Sequence, residues 1–329
     1  MKCINKRFVR VGSLLLVCSL CTISGTGCGE NRLEDAFEAD LPGIGIQTSE
    51  ESSKIPYFAS DLCVTDTDVQ DIEADTEDAL AACFFNLNEK KVLYAKNIHE
   101  RMYPASTTKI MTALVALDKG DLDAQTTVSK EAITFSESGV STAKLKEGDV
   151  LTLRQLLYAL LTVSANDAAN VIAEQIAGSQ DAFVEMMNQE AQKIGATNTH
   201  FVNANGLHSE DHYTTVYDLY LMFNAAMQHE EFLQMLQEKE YQASYQAADG
   251  TTVEAVWSTT NQFTKGDVTV PDGVTAVGGK TGTTTAAMSC LVQLFEDAQG
   301  EQYVAIILGC KERGILYQEM QTFLSNLNN

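Results

Sequence analysis

The stretch Tyr103-Pro104-Ala105-Ser106-Thr107-Thr108-Lys109-Ile110-Met111-Thr112-Ala113-Leu114 decides how the rest of this 329-residue chain is read. From Thr107 to Leu117 the apolar residues Ile110, Met111, Leu114, Val115 and Leu117 recur at helical spacing. Pro104 stands where a helix can begin. In that helix Ser106 and Lys109 share one face, a turn apart. A serine hydroxyl is a weak nucleophile and needs a base beside it; a lysine amine desolvated near another cation can serve. The positive helix end favours a developing oxyanion. Taken alone, the same residues read equally well as a helix cap followed by a solvated lysine.

Two further clusters lie downstream. Ser164-Ala165-Asn166 breaks two apolar helical stretches, Leu153 to Leu161 and Ala168 to Ala177. It reads as a helix cap, since Asn166-Asp167 suits a helix start, or as a proton-relaying hydroxyl and a carbonyl-binding amide. Lys280-Thr281-Gly282 follows Gly278-Gly279 at the end of a β run. The cation and hydroxyl suit a carboxylate, and Gly282 is expected to let a substrate backbone approach. The plain alternative is a β-turn carrying a surface lysine.

Around these clusters the chain alternates in a readable way. Ala79 to Leu87 and Val92 to Ala95 are β-rich, with a hairpin signal between them. Asp181 to Ile194 and Thr215 to Met227 carry helical periodicity. Val253 to Trp257, Ala276 to Lys280, Met288 to Phe295 and Tyr303 to Leu308 read as strands, and a last helix runs from Leu316 to Leu327. Strands at both ends around a helical middle predict an α+β body with an antiparallel sheet.

Together and in this order the three clusters resemble those of serine-type D-alanyl-D-alanine carboxypeptidases, the low-molecular-mass penicillin-binding proteins. Leu156-Leu157-Tyr158-Ala159-Leu160-Leu161, Thr199-His200-Phe201-Val202-Asn203 with Gly206-Leu207, and Trp257 to Asn261 extend the likeness over roughly residues 79–325. The resemblance implies a β-lactamase/transpeptidase-like fold: a five-stranded antiparallel sheet with flanking helices and a helical subdomain. It implies that Ser106 attacks the penultimate D-alanine carbonyl of a peptidoglycan stem peptide, with Lys109 as base and Ser164 and Lys280 moving protons. It further implies that Asn166 positions the substrate, Thr281 contacts its carboxylate, and the amides of Ser106 and Thr283 form an oxyanion hole. β-Lactam antibiotics would be covalent inhibitors, and no metal or cofactor is implied.

The likeness has departures. Where members often carry an arginine after the last strand, this chain has Gly309-Cys310-Lys311, so Lys311 is the expected carboxylate contact, as a point charge rather than a fork. The sequence ending at Asn329 leads us to expect neither the second β-rich domain nor the C-terminal amphipathic helix that many members append. A serine β-lactamase shares the motif order, but no Glu-x-x-Leu-Asn occurs between Asn166 and Lys280. A D,D-endopeptidase and a catalytically silent binding or sensor module remain alternatives.

Charge divides the chain. The net charge of −23 disfavours nucleic acid and anionic lipid as partners. Residues 1–28 read as an export signal: Lys2 to Arg10 is basic, Val11 to Ile23 apolar, and Cys28 follows small residues in a lipobox-like setting. A lipidated Cys28 would anchor the protein to a membrane. Residues 29–56 read as an acidic tether, and 57–329 as the penicillin-binding domain. The protein is thus expected outside the cytoplasm, at the outer face of the cytoplasmic membrane or released to the cell wall. Export permits disulfides. Cys290 and Cys310 flank a turn near Gly300 and could bridge, whereas Cys63 and Cys83, or all four, could remain buried thiols. His208 and His212 stand four apart in a loop signal, which does not suit zinc.

Overall fold

The computed structural model describes residues 59–327; the leader, Cys28 and the tether lie outside the described residues. In chain order the strands are β1 Val69–Gln70, β2 Ala81–Asn86, β3 Lys91–Lys96, β4 Gln125–Thr127, β5 Val150–Thr152, β6 Glu240–Gln246, β7 Thr252–Ser258, β8 Thr275–Thr284, β9 Met288–Glu296 and β10 Gln302–Cys310. The helices are α1 Lys109–Lys119, α2 Leu153–Leu161, α3 Asn166–Ala177, α4 Gln180–Lys193, α5 Val216–Ala226, α6 Glu230–Gln237, α7 Gln262–Lys265 and α8 Arg313–Leu324.

The main sheet is antiparallel with order β1-β3-β2-β10-β9-β8. Six strands stand where five were expected, the extra one being the two-residue β1 within the acidic stretch 66–78. Both faces of the sheet are covered, which explains the unbroken apolar runs of β2 and β10. On β2, Ala81, Cys83 and Phe85 join the core shared with the helical region, while Ala82 and Phe84 face the other way. There Phe84 stacks on Phe323 of α8, ring centroids 5.2 Å apart. The period-2 alternation thus feeds two cores from one strand.

The helical region packs α1 at its centre. Ile110, Met111, Ala113, Leu114, Val115 and Ala116 of α1 are all buried, with Leu156, Leu157, Leu160, Val171 and Ile172 of α2 and α3 in the same core. α2 begins with a capping box, in which Thr152 and Gln155 satisfy each other's backbone N–H groups. A second antiparallel sheet, β4-β5-β6-β7, borders this region.

Of the two readings open for the cysteines, buried thiols hold: no Cys290–Cys310 bridge forms, and Cys63, Cys83, Cys290 and Cys310 are all buried free thiols. Register gives the reason. Cys310 is opposite Ser289, so Cys290 is one residue along β9 and its side chain leaves the opposite face. Accordingly Cys290 belongs to the helix-side core and Cys310 to the core under α8.

Candidate active site

Ser106 lies in a single 3-10 turn, Ala105–Thr108, that runs directly into α1. Ala105 holds a left-handed φ of 47°, a strained conformation for a residue with a Cβ. The threonine hydroxyls tie the turn down: Thr107 donates to the Pro104 carbonyl at 2.7 Å and Thr108 to that of Ala105 at 2.8 Å. Two glycines close around it. A Cβ at Gly206 would meet the Ala105 carbonyl oxygen at 2.0 Å, and one at Gly282 would meet the Ser106 nitrogen at 2.9 Å. Gly282 therefore gives close passage to the protein's own serine turn, a requirement for glycine additional to the expected approach of a substrate backbone.

Lys109, the first residue of α1, is completely buried, whereas Ser106 is only partly covered. The Lys109 Nζ lies 2.9 Å from Ser106 Oγ, 2.6 Å from Asn166 Oδ1 and 2.5 Å from the Asn205 carbonyl oxygen. Burial pushes this amine well below the usual lysine range, the nearby Lys280 adds to the fall, and Asp167 opposes it. A lysine so placed is able to hold a lone pair at neutral pH.

The second cluster meets the first. Ser164 sits in the break between α2 and α3 with a left-handed φ of 59°. Its Oγ accepts from Lys280 Nζ at 2.9 Å. Lys280 is also fully buried, and desolvation lowers its pKa to about 7. The capping alternative for Asn166 does not hold: the cap of α3 is Ala165, without a side-chain bond, and the Asn166 oxygen goes to Lys109 instead. On β8, the Thr281 hydroxyl pairs with that of Thr260 at 2.6 Å, and Thr283 is exposed. Sequence reading named Ser106, Lys109, Ser164, Asn166, Lys280, Thr281, Gly282 and Thr283; the fold gathers them where α1, α3 and the edge strand β8 converge.

Lys311 is not part of this group. Its backbone N–H bonds the Asp78 carbonyl, and its ammonium pairs with the Asp78 carboxylate. Asp78 precedes β2, on the side of β10 away from β9 and β8, so the ammonium leans away from Lys280. Among the three lysines considered for the site, it is the exposed one, and its partner is intramolecular.

Three contributors carry no motif of their own. The Asn205 backbone carbonyl ligates Lys109, and a backbone oxygen has no sequence signature. Asp167, buried beside Asn166, accepts from the backbone N–H groups of Ala143, Leu145 and Ala168 and fixes the loop bordering the site. His212 packs behind the serine turn: its Nδ1 accepts from Val202 N–H at 3.1 Å, which leaves Nε2–H for the Thr108 hydroxyl at 2.7 Å. This accounts for His212 without a metal. Burial, above all, lowers its pKa to about 3, so the imidazole is neutral.

An α+β body with a serine–lysine pair at the start of its central helix, faced by a second buried lysine on the sheet edge, has the layout of active-serine acyl-transfer proteins whose base is an amine. Comparison with known proteins narrows that class. The family described as D-alanyl-D-alanine carboxypeptidase matches residues 68–312, and the chain belongs to this family. It is 35% identical over 242 residues to the D-alanyl-D-alanine carboxypeptidase DacB2 of Mycobacterium tuberculosis, covering 73% of this chain and 78% of that protein. To DacF of Bacillus subtilis it is 38% identical over 156 residues, 46% of this chain and 40% of the relative. To DacC of Escherichia coli it is 31% identical over 267 residues, 78% and 62% respectively. The matches thus span less than two thirds of the DacF and DacC chains. Among solved structures, the Streptomyces K15 DD-transpeptidase superposes with a TM-score of 0.71 at 28% identity, covering 77% of this chain and 98% of that one.

Proposed function

We propose that this chain is a serine-type D-Ala-D-Ala carboxypeptidase that trims peptidoglycan stem peptides through an acyl-enzyme on Ser106. The observation that carries the reading is the pair of buried amine–hydroxyl contacts, Lys109 with Ser106 and Lys280 with Ser164, each 2.9 Å long. In this reading unprotonated Lys109 takes the Ser106 proton as Oγ bonds to the penultimate D-alanine carbonyl carbon. The developing oxyanion lies at the amides of Ser106 and Thr283, a kind of contact whose loss typically costs about 100- to 1000-fold in rate. Support for that placement comes from Gly282, whose backbone abuts the Ser106 nitrogen.

As the tetrahedral intermediate collapses, the terminal D-alanine nitrogen needs a proton. The Ser164 hydroxyl supplies it and is recharged by Lys280. Asn166 holds the substrate amide with its remaining N–H groups, and Thr281 binds the terminal carboxylate with Lys280 adding positive potential. Lys109 then releases the Ser106 proton to solvent while Lys280 takes one up, so that Lys109 is again unprotonated and serves as base when water hydrolyses the acyl-enzyme and restores the Ser106 hydroxyl. A β-lactam would enter the same path and stall as a stable acyl adduct.

Several features of the sequence extend the proposal beyond the described residues. The basic and apolar leader supports export, and Cys28 supports attachment to the outer face of the cytoplasmic membrane by lipid. Among the described residues no helix is long and apolar enough to cross a membrane. The test of the activity is incubation with a diacyl-Lys-D-Ala-D-Ala peptide: D-alanine release abolished by Ser106→Ala is expected. Penicillin labelling without any D-alanine release would refute the carboxypeptidase reading and favour an endopeptidase or sensor.

A further inference from the structure

Lys109 Nζ faces three oxygens, yet an unprotonated amine has two N–H groups and one lone pair. If the Asn166 side-chain oxygen and the Asn205 carbonyl take the two N–H groups, the lone pair is left pointing at the Ser106 hydroxyl 2.9 Å away. The direction of the base therefore depends on what fixes those two acceptors. Asn166 is anchored in the first turn of α3, but Asn205 belongs to a loop.

Two buried side chains hold that loop from behind: Thr112 Oγ donates to the Ala204 carbonyl at 2.6 Å, and Asn170 holds Asn205 itself. Asn205 Nδ2 donates to Asn170 Oδ1 at 3.0 Å, and Asn170 Nδ2 donates to the Ala132 carbonyl at 2.9 Å. The amide orientations follow from their neighbours: Leu207 N–H occupies Asn205 Oδ1 at 2.9 Å, which turns Nδ2 toward Asn170. Both asparagines are buried, each 4% exposed, so neither group has water as a free substitute. Asn170 stands four residues after Asn166, on the same face of α3. One helix face thus delivers one acceptor to the base directly and secures the other at second hand.

We infer that Asn170 is a positioning residue, which through Asn205 aims the Lys109 amine at Ser106 although it touches neither of those side chains. When the Ser106 proton passes to the Lys109 lone pair, the new ammonium keeps its bonds to the Asn166 and Asn205 oxygens without rearrangement. The charged and titratable groups around this amine are Lys280 from β8, Asp167 from α3 and His212 from the loop behind the turn. None is bonded to Asn170, so a change at Asn170 reaches Lys109 through the Asn205 carbonyl.

The inference rests on the proposed reading for its kinetic consequence but not for its titration. Asn170→Ala releases Asn205 and removes a carbonyl that stabilises the ammonium. The Lys109 midpoint, followed by 13Cε NMR in lysine-labelled full-length protein, should fall below that of the unmodified chain. The penicillin acylation rate should fall about 10- to 100-fold, since an ångström of misplacement typically costs about 100-fold. Asn170→Asp keeps an oxygen toward Asn205 Nδ2 and adds negative charge; its Lys109 midpoint should rise, and its rate should exceed that of the alanine variant. An unmoved midpoint in Asn170→Ala would overturn the inference, as would a slowed rate with an unmoved midpoint. Should Asn170→Ala not fold, a midpoint in Asn170→Asp at or below that of the unmodified chain would overturn it equally. Failure of the unmodified protein to react with penicillin would count against the carboxypeptidase reading, leaving the NMR titration to decide this one.

Discussion

Gly282→Ala is the most informative single perturbation, because its whole effect comes from one methyl group at a known place. The new Cβ would stand 2.9 Å from the Ser106 nitrogen, 3.0 Å from the Pro104 oxygen and 3.0 Å from the Thr107 nitrogen. Comfortable contact lies near about 3.5 Å, so β8 and the serine turn must part by roughly half an ångström. All three obstacles are backbone atoms, so no side chain can swing aside. With an ångström worth about 100-fold, half of one costs about tenfold, and disturbance of the Ser106 N–H as an oxyanion donor adds to this. The expected outcome is a 10- to 100-fold slower second-order acylation by fluorescent penicillin, with a stability loss of about 1–3 kcal/mol from overpacking. Gly314→Ala is the matched control. It lies in α8 with nothing within 4 Å of the new Cβ, and should leave acylation unchanged while stabilising the helix by up to about 1 kcal/mol. Acylation of Gly282→Ala within twofold of the parent would refute the claim that backbone contact between β8 and the serine turn sets the geometry of attack.

Other expectations follow from the buried titratable groups and thiols. Lys280 is neutral above about pH 7 in the folded chain but holds its proton to about 10.5 when unfolded, so the unfolded state binds more protons across that window and stability rises with pH. Lys280→Met should therefore melt higher than the parent, by on the order of 4 kcal/mol near pH 7 and with a gain vanishing toward pH 10.5, while losing D-alanine release. His212, lowered from 6.5 to about 3 by burial, is present as a stabilising neutral group above pH 6.5. Its contribution should drain away by about 1.4 kcal/mol per unit as pH falls from 6.5 toward 3, a slope that urea melts of His212→Gln should lack. Burial raises the thiol pKa of Cys290 to about 12 and of Cys310 to about 11, so alkylation at pH 8 followed by peptide mapping should leave Cys63, Cys83, Cys290 and Cys310 unmodified until the chain is unfolded.

Much of the fold was legible because its strongest signals are periodic. α2 occupies the residues predicted for it, where a capping box and an amphipathic run coincide, and β9 and β10 extend the apolar runs by one or two residues. β8 was read too short. Its Gly278-Gly279 and Gly282 look like turn residues, yet each is required by close packing, Gly278 against Leu236 and Gly279 against the Val292 carbonyl. The four-residue helix α7 and the three-residue strands β4 and β5 are too brief to show a period and are set by tertiary contact, whereas the eight-residue α6 does carry one, its buried Phe232, Met235 and Leu236 lying at helical spacing.

The site divides along the same line. Side chains with chemistry of their own, from Ser106 to Lys280, could be named from type and spacing. The Asn205 carbonyl, the Asn170 bridge and the clamp of Asp167 on Ala143 and Leu145 could not, because their roles depend on backbone groups brought from distant segments. Lys311 was named from its place after the last strand. Its direction, however, is set by Asp78, 233 residues earlier.

Acylation at Ser106 Oγ is the step on which every proposed role in the site depends. Peptide mass mapping of the full chain after brief exposure to penicillin is expected to find one adduct, on the peptide containing Ser106, absent from Ser106→Ala and slowed in a Lys109→Met variant. An adduct on any other residue, or undiminished labelling of Ser106→Ala, would contradict it.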